Sequence, residues 1–238
     1  MFTEKYIQRR RSCSPAFIVK IACYGLVATI ANFLIAGCDS GPANRPIHVI
    51  ADFDTSGGFR PHLGQSALLL CRVIDQLDST DKLDCYRTDN LTAPFYQGQM
   101  PDSAEAFQPV LVKELSGPAH GPGTYPAAFF RQIESDIVRS PEPTVVIVFS
   151  DADNDDPSRY SRQAIADAGR RIAKNPLVVV CFCGASRENW TSLERSFRPL
   201  SSRLHLCTAS EMSLDEIMQA VGQARQLSLT PEKGAVKK

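Results

Sequence analysis

The chain predicts an α/β domain, doubly wound, with a mostly parallel six-stranded sheet and helices on both faces. Three observations predict it. Short apolar runs of strand length alternate with stretches of helical spacing through most of the 238 residues. The central runs, 145–149 and 177–182, are apolar at every position, as strands covered on both faces must be. Helix-starting residues, such as Asp156 before Pro157, stand between the runs. Strands that alternate with helices build parallel sheets.

The elements follow in order. Residues 47–53, Ile-His-Val-Ile-Ala-Asp-Phe, open the domain as a strand. Leu63, Ala67, Leu70, Cys71, Ile74 and Leu77 recur at helical spacing and predict an amphipathic helix over 62–77. A second strand is read at 82–87. A third is read at 107–112, after a loop over 91–102 rich in Pro, Gln and Gly. The Gly- and Pro-rich stretch 116–123 suits neither a helix nor a central strand. Thr124 then caps a helix with the stripe Ala128, Phe129, Ile133 and Ile137. The strand 145–149 is followed by a helix carrying Ala164, Ile165, Ala168 and Ile172. After the strand 177–182 comes a short helix around Trp190, Leu193 and Phe197, then a strand at 204–207. Ser213 and Glu216 form a capping box for a last helix bearing Leu214, Ile217, Met218 and Val221.

The first 37 residues read as an export signal rather than as part of the domain. Lys5, Arg9, Arg10, Arg11 and Lys20 precede sixteen uncharged residues, 21–36, and small residues follow before Cys38. That span is short for a membrane-crossing helix, which needs about 20 apolar residues. Ile35-Ala36-Gly37-Cys38 resembles the bacterial lipobox, with Ile35 where Leu is usual. The resemblance implies cleavage before Cys38, lipidation (palmitate-type acylation) of that cysteine, and an exported, lipid-anchored protein. Asp39 resembles a signal for the inner membrane in some bacteria. The alternative is an uncleaved anchor helix; the twin-arginine reading of Arg10-Arg11 lacks its following hydrophobic residues.

On this reading residues 38–46 are a polar tether, 47–228 the domain and 229–238 a Lys-rich tail. Without the leader, 201 residues carry 21 basic and 25 acidic side chains, a net charge of about −4, so no nucleic-acid footprint is present. Cys71, Cys85, Cys181, Cys183 and Cys207 remain in apolar runs, an odd number that excludes full internal pairing. They are expected as buried thiols, the alternatives being a disulfide or a Cys181–Cys183 metal pair.

Ligands of doubly wound sheets bind at the carboxyl ends of the strands. After the first strand comes Asp52-Phe-Asp54-Thr-Ser56-Gly-Gly58, and after 145–149 comes Ser150-Asp151-Ala-Asp153-Asn-Asp155-Asp156. Gly123-Thr124 opens a helix between them. Carboxylates and hydroxyls at one edge are hard oxygen ligands, suited to Mg²⁺, Mn²⁺ or Ca²⁺ rather than zinc. This order of residues is similar to the von Willebrand factor type A family, the integrin I-like fold. Its metal-ion-dependent adhesion site has Asp-x-Ser-x-Ser after the first strand, a later loop Thr and a Thr-Asp-Gly.

The resemblance implies that Asp54, Ser56, Thr124 and Asp151 hold Mg²⁺ or Mn²⁺, and that an acidic side chain of a protein partner completes the site. Gly58 departs from the pattern by removing one hydroxyl, and Ala152 by replacing the usual Gly. Each residue also has an ordinary role. Asp54, Ser56 and Thr124 suit turns and caps, and Asp153, Asp155 and Asp156 suit a solvated acidic loop. His48 and His120 read as ordinary strand or surface residues.

Two rivals stand beside this non-enzymatic binding module. Asp52-Phe-Asp54-Thr55 resembles the start of haloacid-dehalogenase-like phosphatases, with Ser150 and Lys174 as later motif residues. The acids that family needs after the strand 177–182 are missing. The other rival is the same scaffold with a vestigial metal site. No Gly-x-Ser-x-Gly, His-Glu-x-x-His or Walker pattern occurs.

Overall fold

A computed structural model describes residues 45–89, 91–118, 123–138, 140–154 and 159–227. The leader, Cys38, most of the tether, the tail, His120, Asp155 and Asp156 lie outside the described residues. The described elements run β1 (His48–Asp54), α1 (Leu63–Ile74), β2 (Lys82–Thr88), β3 (Thr92–Gln99), α2 (Ala104–Leu115), α3 (Pro126–Val138), β4 (Thr144–Phe149), α4 (Arg159–Ile172), β5 (Val178–Gly184), α5 (Arg187–Phe197), β6 (Leu204–Thr208) and α6 (Leu214–Gln226). Short 3₁₀ turns precede α1 and follow α5.

The sheet order is β3-β2-β1-β4-β5-β6. All neighbours are parallel except β2 and β3. β1 lies between β2 and β4, with His48 in register with both Lys82 and Thr144. The chain therefore winds one way from β1 to β2 and the other way from β1 to β4. That reversal opens a crevice at the carboxyl ends of β1 and β4.

Alternation along β1 assigns the two cores. Val49, Ala51 and Phe53 face one layer with Leu70, Val73, Phe107, Leu111, Ile217 and Val221. Ile50 faces the other, with Phe129, Phe130, Ile133, Ile165, Ile172 and Phe197. Helices α1, α2 and α6 thus cover one face, and α3, α4 and α5 the other. β4 and β5 are buried at every residue, as their unbroken apolar runs require.

Two elements correct the sequence reading. Residues 107–112, expected as the third strand, lie inside helix α2. Ser103 caps that helix by accepting from the Ala106 N–H at 3.2 Å, and Asp75 accepts from the Ala104 N–H at 3.0 Å. Phe107, Leu111 and Leu115 fall one above the other on its buried side, a spacing of four that the dense apolar run disguised. The third strand is instead the stretch expected as a loop. β3 is an antiparallel edge strand, only half buried. An edge tolerates its Pro94, which has no N–H to give, and its Gly98.

The five described cysteines are buried and none is bridged, as expected for thiols that pack as small hydrophobes. Cys181 and Cys183, two apart on β5, bring their sulfurs to 3.5 Å on the same core face. At the amino-terminal edge Asp81, fully buried, accepts from the Ile47 N–H, the Asp78 N–H and the guanidinium of Arg225. This ties the start of β1 to α6. Among the described residues no helix is long and apolar enough to cross a membrane.

Candidate metal-binding site at the switch point

Asp54 ends β1 and is almost wholly buried. Two segments distant in sequence, and the turn that follows β1, converge on its carboxylate. Thr124, at the start of α3, donates its hydroxyl to both oxygens at 3.1 Å. Ser150, which follows β4, donates to Oδ2 at 2.7 Å. The Ser56 N–H donates to Oδ1 at 2.9 Å and closes the turn after the strand. The separations of 70 and 96 residues show that only the fold makes this cluster.

Asp151 follows Ser150 and approaches from the β4 side. A Cβ on Gly58 would lie 2.9 Å from its Oδ2, so the carboxylate stands over the glycine backbone. The Asp153 N–H donates to Asp151 Oδ1 at 3.0 Å. Ala152 between them has φ of +60°, a left-handed conformation that glycine adopts readily and alanine does not. That is where the family resemblance expects glycine. Gly184, with φ of +108°, ends β5 beside the site; a Cβ there would strike the ring of buried Phe59 at 2.5 Å.

The structure therefore brings Asp54, Thr124 and the backbone of Ser56 into direct contact, with Asp151 beside Gly58. Ser56 itself is buried. The set offers two carboxylates and neighbouring hydroxyl oxygens, a chemistry that fits a hard divalent cation. Among the described residues no group of three or more His, Cys, Asp or Glu side chains is arranged to hold a metal. This set does not depend on such a group, because hydroxyls make up its remainder. The space over Gly58, where the family pattern puts a second hydroxyl, holds the Asp151 carboxylate.

Around this centre lies a buried polar layer, of which the sequence reading did not single out Thr88 and Asp89. Asp52, one turn of the pleat before Asp54, accepts from the Thr88 hydroxyl at 2.8 Å. Burial pushes its carboxyl well above the ordinary range; the Thr88 hydrogen bond opposes this and the neighbouring Asp54 adds to it. Asp89, just past β2, is buried and accepts from the Thr55 hydroxyl at 3.4 Å. Its carbonyl accepts from the Tyr125 N–H at 3.1 Å, linking the β2 end to the start of α3. The signal was available: Thr88-Asp89 closes a strand at the same edge. Ser150 stood in the strand-end run after 145–149, and its individual role was read only from the phosphatase pattern.

Several expected residues settle elsewhere. His48 faces Asp84 at 2.9 Å near the start of β1, an ordinary strand pairing. Lys174 precedes β5, at the amino-terminal edge of the sheet. A seven-residue strand of roughly 23 Å separates that edge from Asp52 and Asp54. The phosphatase pattern loses its lysine. Asp153 is exposed but not merely solvated, since the Asn189 amide donates to it at 2.6 Å.

The topology and the oxygen cluster define a doubly wound α/β domain with its site at the carboxyl edge of the central strands. No protein-family profile and no curated protein matches the sequence. Solved structures do match. BatB from Bacteroides thetaiotaomicron is similar at 16% identity and a TM-score of 0.57, over 76% of this chain and 100% of that one. A von Willebrand factor type A protein from Catenulispora acidiphila is similar at 11% identity and a TM-score of 0.50, over 76% of this chain and 42% of that one.

Proximal thread matrix protein 1 from the mussel byssus, solved with zinc in its MIDAS motif, is similar at 10% identity and a TM-score of 0.53, over 76% of this chain and 47% of that one. This chain spans less than half the length of the latter two. The domain has the von Willebrand factor type A fold.

Proposed function

We propose that this domain is a lipid-anchored, non-enzymatic binding module that recognises a protein partner with the help of a divalent cation. The observation that carries the reading is the convergence of Thr124, Ser150 and the Ser56 N–H on the buried Asp54 carboxylate, with the Asp151 carboxylate over Gly58. Asp54, Ser56, Thr124 and Asp151 would hold Mg²⁺ or Mn²⁺. When bound, the cation supplies an open coordination position for an acidic side chain of the partner. The protein's own residues preorganise the oxygens: Ser150 and Thr124 orient Asp54, and the Asp153 N–H orients Asp151. Recognition of this kind breaks no bond, and a likeness in fold to a protein with a zinc-occupied MIDAS motif supports it.

The lipid anchor rests on the basic leader, the apolar run and Ile35-Ala36-Gly37-Cys38. It places the domain on the outer side of a cytoplasmic membrane, near the surface. Titrating Mg²⁺ and Mn²⁺ by calorimetry into the wild type and an Asp54→Ala, Asp151→Ala double variant tests the cation. Saturable binding lost in the variant supports it. A wild type that takes up neither ion refutes it and leaves a scaffold with a vestigial site. Mass spectrometry of the purified chain tests the anchor: diacylglyceryl or acyl mass on an amino-terminal Cys38 is expected, and an unmodified, uncleaved leader refutes it.

A further inference from the structure

We infer that Asn189, on α5, is a positioning residue for Asp151; the inference rests on the cation-binding reading of that site. Its side-chain amide donates twice across to the β4–α4 loop. One bond goes to the Asp151 carbonyl at 3.2 Å and one to the Asp153 carboxylate at 2.6 Å. The Ser186 N–H donates to the same Asp151 carbonyl at 3.0 Å. Asp153 in turn gives its N–H to the Asp151 carboxylate. A continuous chain of contacts therefore runs from Asn189 through Asp153 to the carboxylate that faces Gly58.

The loop needs such ties. Ala152 sits at φ +60°, where its Cβ crowds the following carbonyl. The strained turn persists only where its surroundings over-determine it. Ser150 does part of this from below, its hydroxyl accepting from the Ala152 N–H at 2.9 Å. Asn189 and the Ser186 N–H do the rest from the side of α5.

The platform that carries Asn189 is itself fixed. The Asn189 N–H donates to the Ser186 carbonyl at 3.0 Å. Trp190 Nε1 donates to the Ala185 carbonyl at 3.2 Å, and the Arg187 guanidinium lies 3.9 Å from the Trp190 ring centre. The first turn of α5 therefore holds Asn189 against the loop with little freedom.

Second-layer partners of this kind commonly set metal affinity by tenfold or more. Mn²⁺ is titrated by calorimetry into the full chain as wild type, Asn189→Ala, Asp153→Ala and the double variant. Backbone amide exchange at Asp153 and Ser186 is followed in the same proteins without metal. The expected result is an affinity about tenfold weaker for Asn189→Ala, a similar loss for Asp153→Ala, and a double variant no weaker than the singles. The melting temperature should stay within about 2 °C of wild type, because both side chains lie at the surface edge.

Exchange at Asp153 should quicken in Asn189→Ala. A variant with wild-type affinity and wild-type exchange overturns the inference, as does a lower melting temperature with unchanged affinity. A wild type that takes up no Mn²⁺ overturns the cation reading alone. In that case quickened exchange in Asn189→Ala still supports Asn189 as the tie that places Asp151, and unchanged exchange overturns it.

Discussion

A Cβ on Gly58 would lie 2.9 Å from Oδ2 of Asp151. No resting Cβ tolerates an oxygen at that range, so the carboxylate stands where it does because residue 58 has no side chain. The departure from the family pattern and the position of the second acid are one fact. Serine at 58 would push Asp151 aside while adding a hydroxyl; alanine would only push. Mn²⁺ affinity is therefore expected to fall in Gly58→Ala. Gly58→Ser should bind at least about tenfold more tightly than Gly58→Ala, a difference of ~1.4 kcal/mol. Calorimetric titration of the two variants side by side checks this, and equal affinities would mean that a hydroxyl at this position cannot reach the ion.

Ala152 invites the opposite substitution. Its left-handed backbone disfavours any residue with a Cβ. Ala152→Gly removes that strain but loosens the unfolded chain, which returns about 0.4–1 kcal/mol. A net gain of about 0.5–1 kcal/mol is expected, seen as a rise of roughly 1–4 °C in melting temperature for a domain of this size. Scanning calorimetry of the variant decides it; a fall would show that the alanine methyl packs more usefully than the backbone suffers.

At the far edge of the sheet, Arg225 is the partner of a fully buried Asp81 at 2.6 Å. Removing one member of a buried pair leaves the other charge uncompensated, typically at a cost of about 3–5 kcal/mol. Asp81 keeps the Ile47 and Asp78 N–H groups, so the lower end of that range is expected for Arg225→Ala. Urea unfolding should show the loss. Cation binding, at the opposite edge, should be unchanged in the folded variant.

Tyr86 gives a pH signature. Burial first, then nearby Asp84 and Asp136, push its hydroxyl up to about 12, with the Gln97 hydrogen bond opposing and Asp52 adding a smaller push. The folded state therefore holds this proton more tightly than the unfolded chain, whose tyrosine titrates near 10. Stability from this group is complete below about pH 10 and is lost as the pH rises towards 12. Melting temperatures measured from pH 8 to 12 should fall less steeply in Tyr86→Phe than in wild type. At neutral pH the variant should lose the Gln97 bond and little else. Parallel curves would show that the hydroxyl escapes its surroundings on ionising.

Much of the architecture was legible because it is written in short-range pattern. Unbroken apolar runs announced β4 and β5, and period-four stripes announced α1, α3 and α6. Ser213 accepts from the Glu216 N–H as the capping box requires. The same rules misread 107–112, where a dense apolar run gave no period to distinguish strand from helix. They passed over 92–99 because Pro94 and Gly98 signal a loop everywhere except at a sheet edge. Whether a strand lies at the edge is a property of the assembled sheet and not of its residues.

The site divides along the same line. The sequence by itself determined which oxygens stand at or just after strand ends, Asp54, Ser56 and Asp151, and which stands just ahead of a helix, Thr124. Only the tertiary structure decided their relations. The winding of the sheet placed Thr124 and Ser150 on one carboxylate across 70 and 96 residues. It set Asp151 over Gly58, turned Ala152 left-handed, and brought Asn189 from α5 to tie the loop. Strand pairing and layer packing are long-range, and distances of a few ångströms between remote side chains come into being only when those layers close.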